Sequence, residues 1–127
     1  MTVSGEWLDE AKAIYIMHYE SDWRLDDFMS AVQTYTEVIR AAAVDTVMIH
    51  QLPEQLVLPP GALSIIFKLR DDYPENIKGH YIIGGGAMAR IVYRIVSRVT
   101  PEIVPNLYFV DAVEAALQLI SGEADEN

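Results

Sequence analysis

The sequence of 127 residues contains no cysteine. A chain without cysteine forms no disulfide and offers neither a thiolate nucleophile nor a thiolate metal ligand. The first residues, Met1 to Glu6, carry neither a basic region nor an apolar region of the kind found in secretion signals. Together these absences predict a cytoplasmic protein.

Long apolar runs and positive charge are also scarce. Although 51% of the residues are hydrophobic, charged residues interrupt every run before the roughly 20 residues that a membrane-spanning helix needs. We therefore expect no membrane insertion. Nine Lys and Arg against 19 Asp and Glu give a net charge of −10, which repels phosphate backbones. Nucleic acid is not expected as a partner.

The length favours one continuous core and a single domain. We predict this domain over residues 1–121. Residues 122–127 are acidic and carry no large apolar side chain, so they are predicted to form a disordered tail. Gly122 then serves as the C-cap of the last helix.

The spacing of apolar residues alternates between strand-like and helix-like patterns. Strands are predicted at 3–7, 13–19, 46–50, 80–83 and 107–110, and helices at 26–42, 61–72, 87–99 and from a capping box at 111–114 to about 121. The first two strands form a hairpin, and strands joined by helices run parallel. The prediction is an α/β domain with a mixed, mostly parallel sheet of four to five strands and about four helices.

Three segments resemble the STAS domain, the module of sulfate transporters and anti-sigma factor antagonists. They are Leu58-Pro59-Pro60-Gly61-Ala62-Leu63-Ser64-Ile65-Ile66, Tyr81-Ile82-Ile83-Gly84 and Phe109-Val110-Asp111-Ala112-Val113-Glu114-Ala115-Ala116-Leu117. The resemblance implies a non-catalytic module that binds a protein partner and sometimes a small ligand. In the antagonists a serine or threonine is phosphorylated at the position of Gly61, so that switch is not expected here. Ser64 lies one turn into the helix, where we expect it to face packing or its own backbone.

Two surfaces are candidate sites. The glycine turn Gly84-Gly85-Gly86, followed by Ala87, is predicted to bind a small or anionic ligand through helix-start amides. The alternative is a tight turn without a ligand. Arg90, Arg94 and Arg98 form one stripe on the third predicted helix. With Gly61 and Ser64 they are the candidate partner-binding surface; the alternative is a solvated face with local ion pairs.

The histidines do not indicate a metal site. His18 and His50 are predicted near the carboxyl ends of their strands and His80 at the start of its own, which would place His80 at the opposite edge of a parallel sheet. No nucleophile stands beside a base in the pattern, and Asp26, Asp27, Asp111 and Glu114 are explained by helix starts. No catalytic residue and no cofactor are predicted.

Four aromatic residues lie near the predicted hairpin: Trp7, Tyr15, Tyr19 and Trp23. We interpret them as core, with a partner-binding sheet edge as the alternative. The leading functional hypothesis is a regulatory module that binds another protein or a second copy of itself. The alternatives are a sensor of an anionic or apolar small molecule and, third, an enzyme of unknown class.

Overall fold

A computed structural model describes residues 2–9, 11, 13–99, 101 and 106–125. The strands are β1 (Val3–Trp7), β2 (Ile14–Tyr19), β3 (Thr46–Gln51), β4 (Ile77–Ile83) and β5 (Leu107–Val110). The helices are α1 (Leu25–Ala42), α2 (Ala62–Lys68), α3 (Gly86–Val99) and α4 (Val113–Asp125). A 3₁₀ turn, Leu69–Asp72, extends α2.

The five strands form one sheet in the order β1-β2-β3-β4-β5. β1 pairs antiparallel with β2, with Val3 opposite Tyr19. β2, β3, β4 and β5 run parallel, each joined to the next by a helix. The predicted α/β class, with its mixed, mostly parallel sheet and four helices, is confirmed.

The sheet separates two apolar layers. On one face, α1, α2 and α3 cover side chains such as Met17 of β2 and Met48 of β3. On the other face, α4 covers Ile16, Ile49 and Tyr81. β3 is thus covered on both sides, which explains why its sequence is apolar without alternation.

Helix α1 is fixed at both ends by side chains from elsewhere in the chain. At its start, the Asp27 carboxylate accepts hydrogen bonds from the Thr2 amide at 2.8 Å and the Thr2 hydroxyl at 2.6 Å. At its end, Asn76 Nδ2 donates to the carbonyls of Ile39 at 2.7 Å and Val44 at 2.8 Å. The contact with Ile39 satisfies a carbonyl that the end of a helix leaves unpaired, and the Thr2 contacts tie the start of α1 to the N-terminal residues.

Helix α3 differs from the prediction in the face that it buries. The sequence pattern placed Met88, Ile91, Val92, Ile95 and Val99 on one apolar face, but Met88, Ile91 and Val99 are exposed. The core side is formed by Ala89, Val92, Tyr93 and Val96. The helix is rotated because small and aromatic side chains, rather than the largest aliphatic ones, pack against β4 and β5.

Two further expectations are corrected. α4 continues through Gly122 to Asp125, past the predicted end near Ser121 and into the predicted disordered tail. One glycine costs a helix only about 1 kcal/mol, and the Glu and Ala that follow are good helix formers. Ser64 is exposed, not packed against neighbours. Within the described chain, no helix is both long and apolar enough to span a bilayer.

Candidate functional site

A cavity of about 180 Å³ lies between the sheet and the helices of the α1–α3 face. Its floor consists of side chains from the four parallel strands, among them Tyr19, His50, Ile82 and Phe109. These strands point the side chains toward the helices because they alternate with residues that face α4. The cavity is partly open to solvent, so it is a pocket of the surface and not an internal void.

The walls come from three helices and one loop. α1 contributes Phe28 and Tyr35, and α3 contributes Val92, Tyr93 and Val96. The proline-containing loop after β3 contributes Leu52, Leu56 and Leu58, and α2 with its 3₁₀ extension contributes Ile66 and Leu69. The walls are therefore almost entirely aliphatic and aromatic.

None of the described side chains that line the cavity belongs to Asp, Glu, Lys or Arg. A charged ligand would lose its hydration there without gaining an ion pair, which is strongly unfavourable. The composition of the walls favours a neutral occupant.

The polar atoms of the cavity form one hydrogen-bonded chain, here called the Tyr–His chain, which runs Tyr19, His50, His80, Tyr73. His50 Nε2 lies 3.0 Å from His80 Nδ1. Tyr19 Oη lies 3.5 Å from His50 Nδ1, and Tyr73 Oη is hydrogen-bonded to His80 Nε2. The two imidazole rings stack with centroids 5.2 Å apart. Four side chains from four segments are thus joined by three hydrogen bonds among apolar walls.

All four members of the Tyr–His chain are neutral near pH 7. Burial, and secondarily the adjacent His80, lowers the pKa of His50 to about 3. Burial lowers the pKa of His80 to about 4. Burial, and secondarily Tyr35, raises the pKa of Tyr19 and that of Tyr73 far above the usual value of a phenol. The Tyr–His chain therefore carries no net charge at neutral pH.

The pairing of His50 with His80 corrects the predicted placement of the histidines. β4 begins at Ile77, so His80 is its fourth residue instead of its first. The register places Met48 opposite His80 and His50 opposite Ile82, so the two histidines lie on the same face of neighbouring strands. His18 points to the other face, where its Nε2 lies 3.6 Å from Glu6 Oε1.

The glycine turn lies beside the cavity loop and does not line the cavity. Gly84, Gly85 and Gly86 have φ angles of 78°, 81° and 55°. The Gly85 amide donates to the Pro53 carbonyl at 2.9 Å, and a Cβ on Gly84 would lie 2.6 Å from the Leu52 carbonyl oxygen. The turn therefore supports the loop that carries Leu52. Ala87 is exposed at the start of α3.

The predicted partner-binding residues all lie on the surface. Gly61, Ser64, Arg90, Arg94 and Arg98 are exposed. Arg90 stacks over the Phe109 ring, with its guanidinium carbon 4.4 Å from the centroid. Phe109 also lines the cavity, so the arginine stripe begins at the cavity's outer wall.

The aromatic residues near the hairpin are core, as predicted. Tyr15 and Trp23 are buried, and Trp7 and Tyr19 pack against the same cluster. The sequence did not predict that Tyr19, Trp23, Tyr35 and Tyr73 line a cavity. In the described part of the chain, no three His, Asp or Glu side chains converge in a way that could hold a metal ion.

Comparison with known proteins adds no relative: no protein-family model matches the chain, and no curated protein matches its sequence. The resemblance to the STAS domain therefore rests on the three segments quoted above and stays a prediction.

Proposed function

We propose that this chain is a small-molecule-binding domain, a sensor or carrier whose ligand is neutral and largely apolar. The observation that carries the proposal is the cavity of about 180 Å³, lined by aliphatic and aromatic side chains and by no charged one among the described residues. An engineered protein cavity of about 150 Å³ with similar walls is sufficient to hold a benzene molecule. The cavity suits a compact ligand of one or two rings.

The sequence left open whether a ligand would be anionic or apolar. An anion is disfavoured by the net charge of −10 and by walls without a cation. The same features do not oppose a neutral ligand. The proposed ligand position is the cavity on the α1–α3 face, and the glycine turn contributes by holding the loop above it.

Binding of α-methylstyrene, a neutral monocyclic hydrocarbon, tests the proposal. Its nine non-hydrogen atoms, at roughly 0.5 kcal/mol each, give an expected dissociation constant on the order of 0.1–1 mM. Isothermal titration calorimetry and ligand-observed NMR would measure it. Absence of binding to the folded wild-type protein would refute the proposal.

Two neighbouring positions on α3 offer a matched pair of variants. Val92 lines the cavity, whereas Ile91 is 44% exposed and does not line it. Val92→Phe should fill the cavity and abolish binding, whereas Ile91→Phe, which introduces the same side chain outside it, should leave binding unchanged. Circular dichroism would establish that both variants are folded. Equal binding by the two variants would place the ligand elsewhere.

A second candidate function is self-association or docking of an acidic partner through α3, as the STAS resemblance implies. It is favoured by the exposure of Met88, Ile91 and Val99 on a helix that also carries the arginine stripe. Apolar side chains beside cations suit an interface in an otherwise acidic chain. Sedimentation velocity of the wild-type protein and of Ile91→Glu would test self-association, with a dimer expected only for the wild type.

A further inference from the structure

The proton count of the Tyr–His chain specifies what the cavity offers to a ligand. A neutral imidazole carries one N–H and a phenol one O–H. The chain therefore holds four protons, one on each of its four members, but has only three links between them. One proton is left over.

The extra proton belongs to a phenol at one end of the chain. If both tyrosines donated inward, both histidine protons would occupy the link between the rings, and two N–H groups would face each other. One tyrosine must therefore accept from its histidine and keep its own O–H free. Tyr35 does not take up this proton, because none of the hydrogen bonds among the described residues joins it to the chain.

Distance identifies Tyr19 as the free end. Its 3.5 Å separation from His50 Nδ1 is at the limit of a hydrogen bond. A phenol is a good donor to imidazole and a poor acceptor from it, so a long separation fits the link in which the tyrosine accepts. The favoured direction runs from Tyr73 through His80 and His50 to Tyr19, and it leaves the Tyr19 O–H without an acceptor.

A second donor beside Tyr19 also lacks an acceptor. Trp23 Nε1 is buried, and no described atom accepts a hydrogen bond from it. The Trp23 ring packs edge-on against Tyr19, with centroids 5.7 Å apart, and both residues line the cavity. A buried donor without a partner costs roughly 1–3 kcal/mol. Because Trp23 Nε1 has almost no accessible surface, an acceptor in the cavity would pair with the Tyr19 O–H and not with the indole.

We infer that the cavity binds a ligand with an apolar body and one carbonyl oxygen, which accepts a hydrogen bond from the Tyr19 hydroxyl. A carbonyl oxygen accepts this hydrogen bond without bringing a charge into the cavity. The class includes aryl ketones, aldehydes and esters. The inference rests on the proposed function, since it requires that the cavity bind a small molecule at all.

Acetophenone and α-methylstyrene form the test, because they have nearly the same shape and differ in C=O against C=CH₂. The wild-type protein should bind acetophenone about tenfold more tightly, the effect of one net hydrogen bond. Tyr19→Phe should reduce this preference to near one while the affinity for α-methylstyrene holds. Tyr93→Phe is the matched control: it removes a phenol from the α3 wall that is outside the Tyr–His chain, and the preference should remain.

Infrared spectroscopy of acetophenone labelled with ¹³C at the carbonyl gives a direct readout in the wild-type protein, which keeps the inference testable if Tyr19→Phe fails to fold. The C=O stretch should lie below its frequency in hydrocarbon solvent, as for a hydrogen-bonded ketone. A stretch at the hydrocarbon frequency, or equal affinity for the two compounds, overturns the inference and leaves the proposed function standing. Failure of both compounds to bind overturns both. A preference that survives in Tyr19→Phe refutes the assignment to Tyr19.

Discussion

The two buried imidazoles should make the stability of the domain strongly dependent on pH below neutrality. In the unfolded chain both have the ordinary histidine pKa of 6.5, whereas in the folded domain the pKa of His50 is about 3 and that of His80 about 4. Between these limits the unfolded chain binds more protons than the folded domain. Their contribution to the free energy of unfolding is therefore complete above pH 6.5 and is lost as the pH falls toward the folded values.

The size of the effect at pH 5 follows from the unfolded pKa alone. That pH is about 1.5 units below 6.5, yet still above both folded values, and each unit corresponds to about 1.36 kcal/mol per group. Each histidine should lower the free energy of unfolding by about 2 kcal/mol, and the pair by about 4 kcal/mol, relative to neutral pH. The whole free energy of unfolding of a small domain is only about 5–15 kcal/mol.

Urea unfolding at pH 7, 6 and 5, followed by tryptophan fluorescence, would measure this loss. The double variant His50→Gln, His80→Gln should lose most of the pH dependence, and carboxylates common to both proteins cancel in the comparison. His18→Gln is the control, because it removes a histidine from the opposite face of the sheet and leaves the cavity untouched. A double variant with the same slope as the wild type would refute the view that both histidines are buried and neutral.

Two further predictions concern the supports of the site. Asn76→Ala removes the donor to the Ile39 and Val44 carbonyls at the end of α1 and should lower the free energy of unfolding by about 1–2 kcal/mol; an unchanged urea midpoint would show that water replaces the amide without loss. Gly84→Ala places a Cβ 2.6 Å from the Leu52 carbonyl oxygen at a φ of 78° and should cost roughly 1–3 kcal/mol. The displaced Leu52 loop should also weaken α-methylstyrene binding, and a variant with wild-type stability and affinity would contradict the supporting role of the turn.

The fold could be predicted from the sequence because its elements carry local signals. In α1, Phe28, Tyr35 and Ile39 recur at helical spacing, seven and four residues apart, and all three are buried. The chain order of hairpin and helix–strand units implies parallel pairing. What periodicity did not specify was the rotation of α3, since the apolar residues of that helix surround more than half of its circumference. The rotation of α3 is set by its packing against Phe109 and the sheet.

The site could not be predicted because it depends on register. The start of β4 was missed, since Lys78 and Gly79 are weak strand formers and conceal the continuity of Ile77 with His80. The predicted start of β4 was three residues too late. That error placed His80 at the edge of the sheet and out of contact with His50. Even a β4 that starts at Ile77 brings both histidines to the α1–α3 face only because the register of β3 against β4 shifts by one residue between Thr46 and Val47.

Acid and the proposed ligand should change the stability of the domain in opposite directions through the same side chains. The cavity is partly open to solvent, so the Tyr19 hydroxyl can be paired by water or by a ligand. A ligand present at 100 times its dissociation constant would raise the free energy of unfolding by about 2.7 kcal/mol. Acid should lower the free energy of unfolding through His50 and His80, and the proposed ligand, which requires the neutral chain, should raise it through Tyr19. If the proposed ligand binds the neutral chain, occupancy of the cavity and resistance to acid are linked through one set of hydrogen bonds, and a measured linkage would distinguish ligand binding from a loosely packed core.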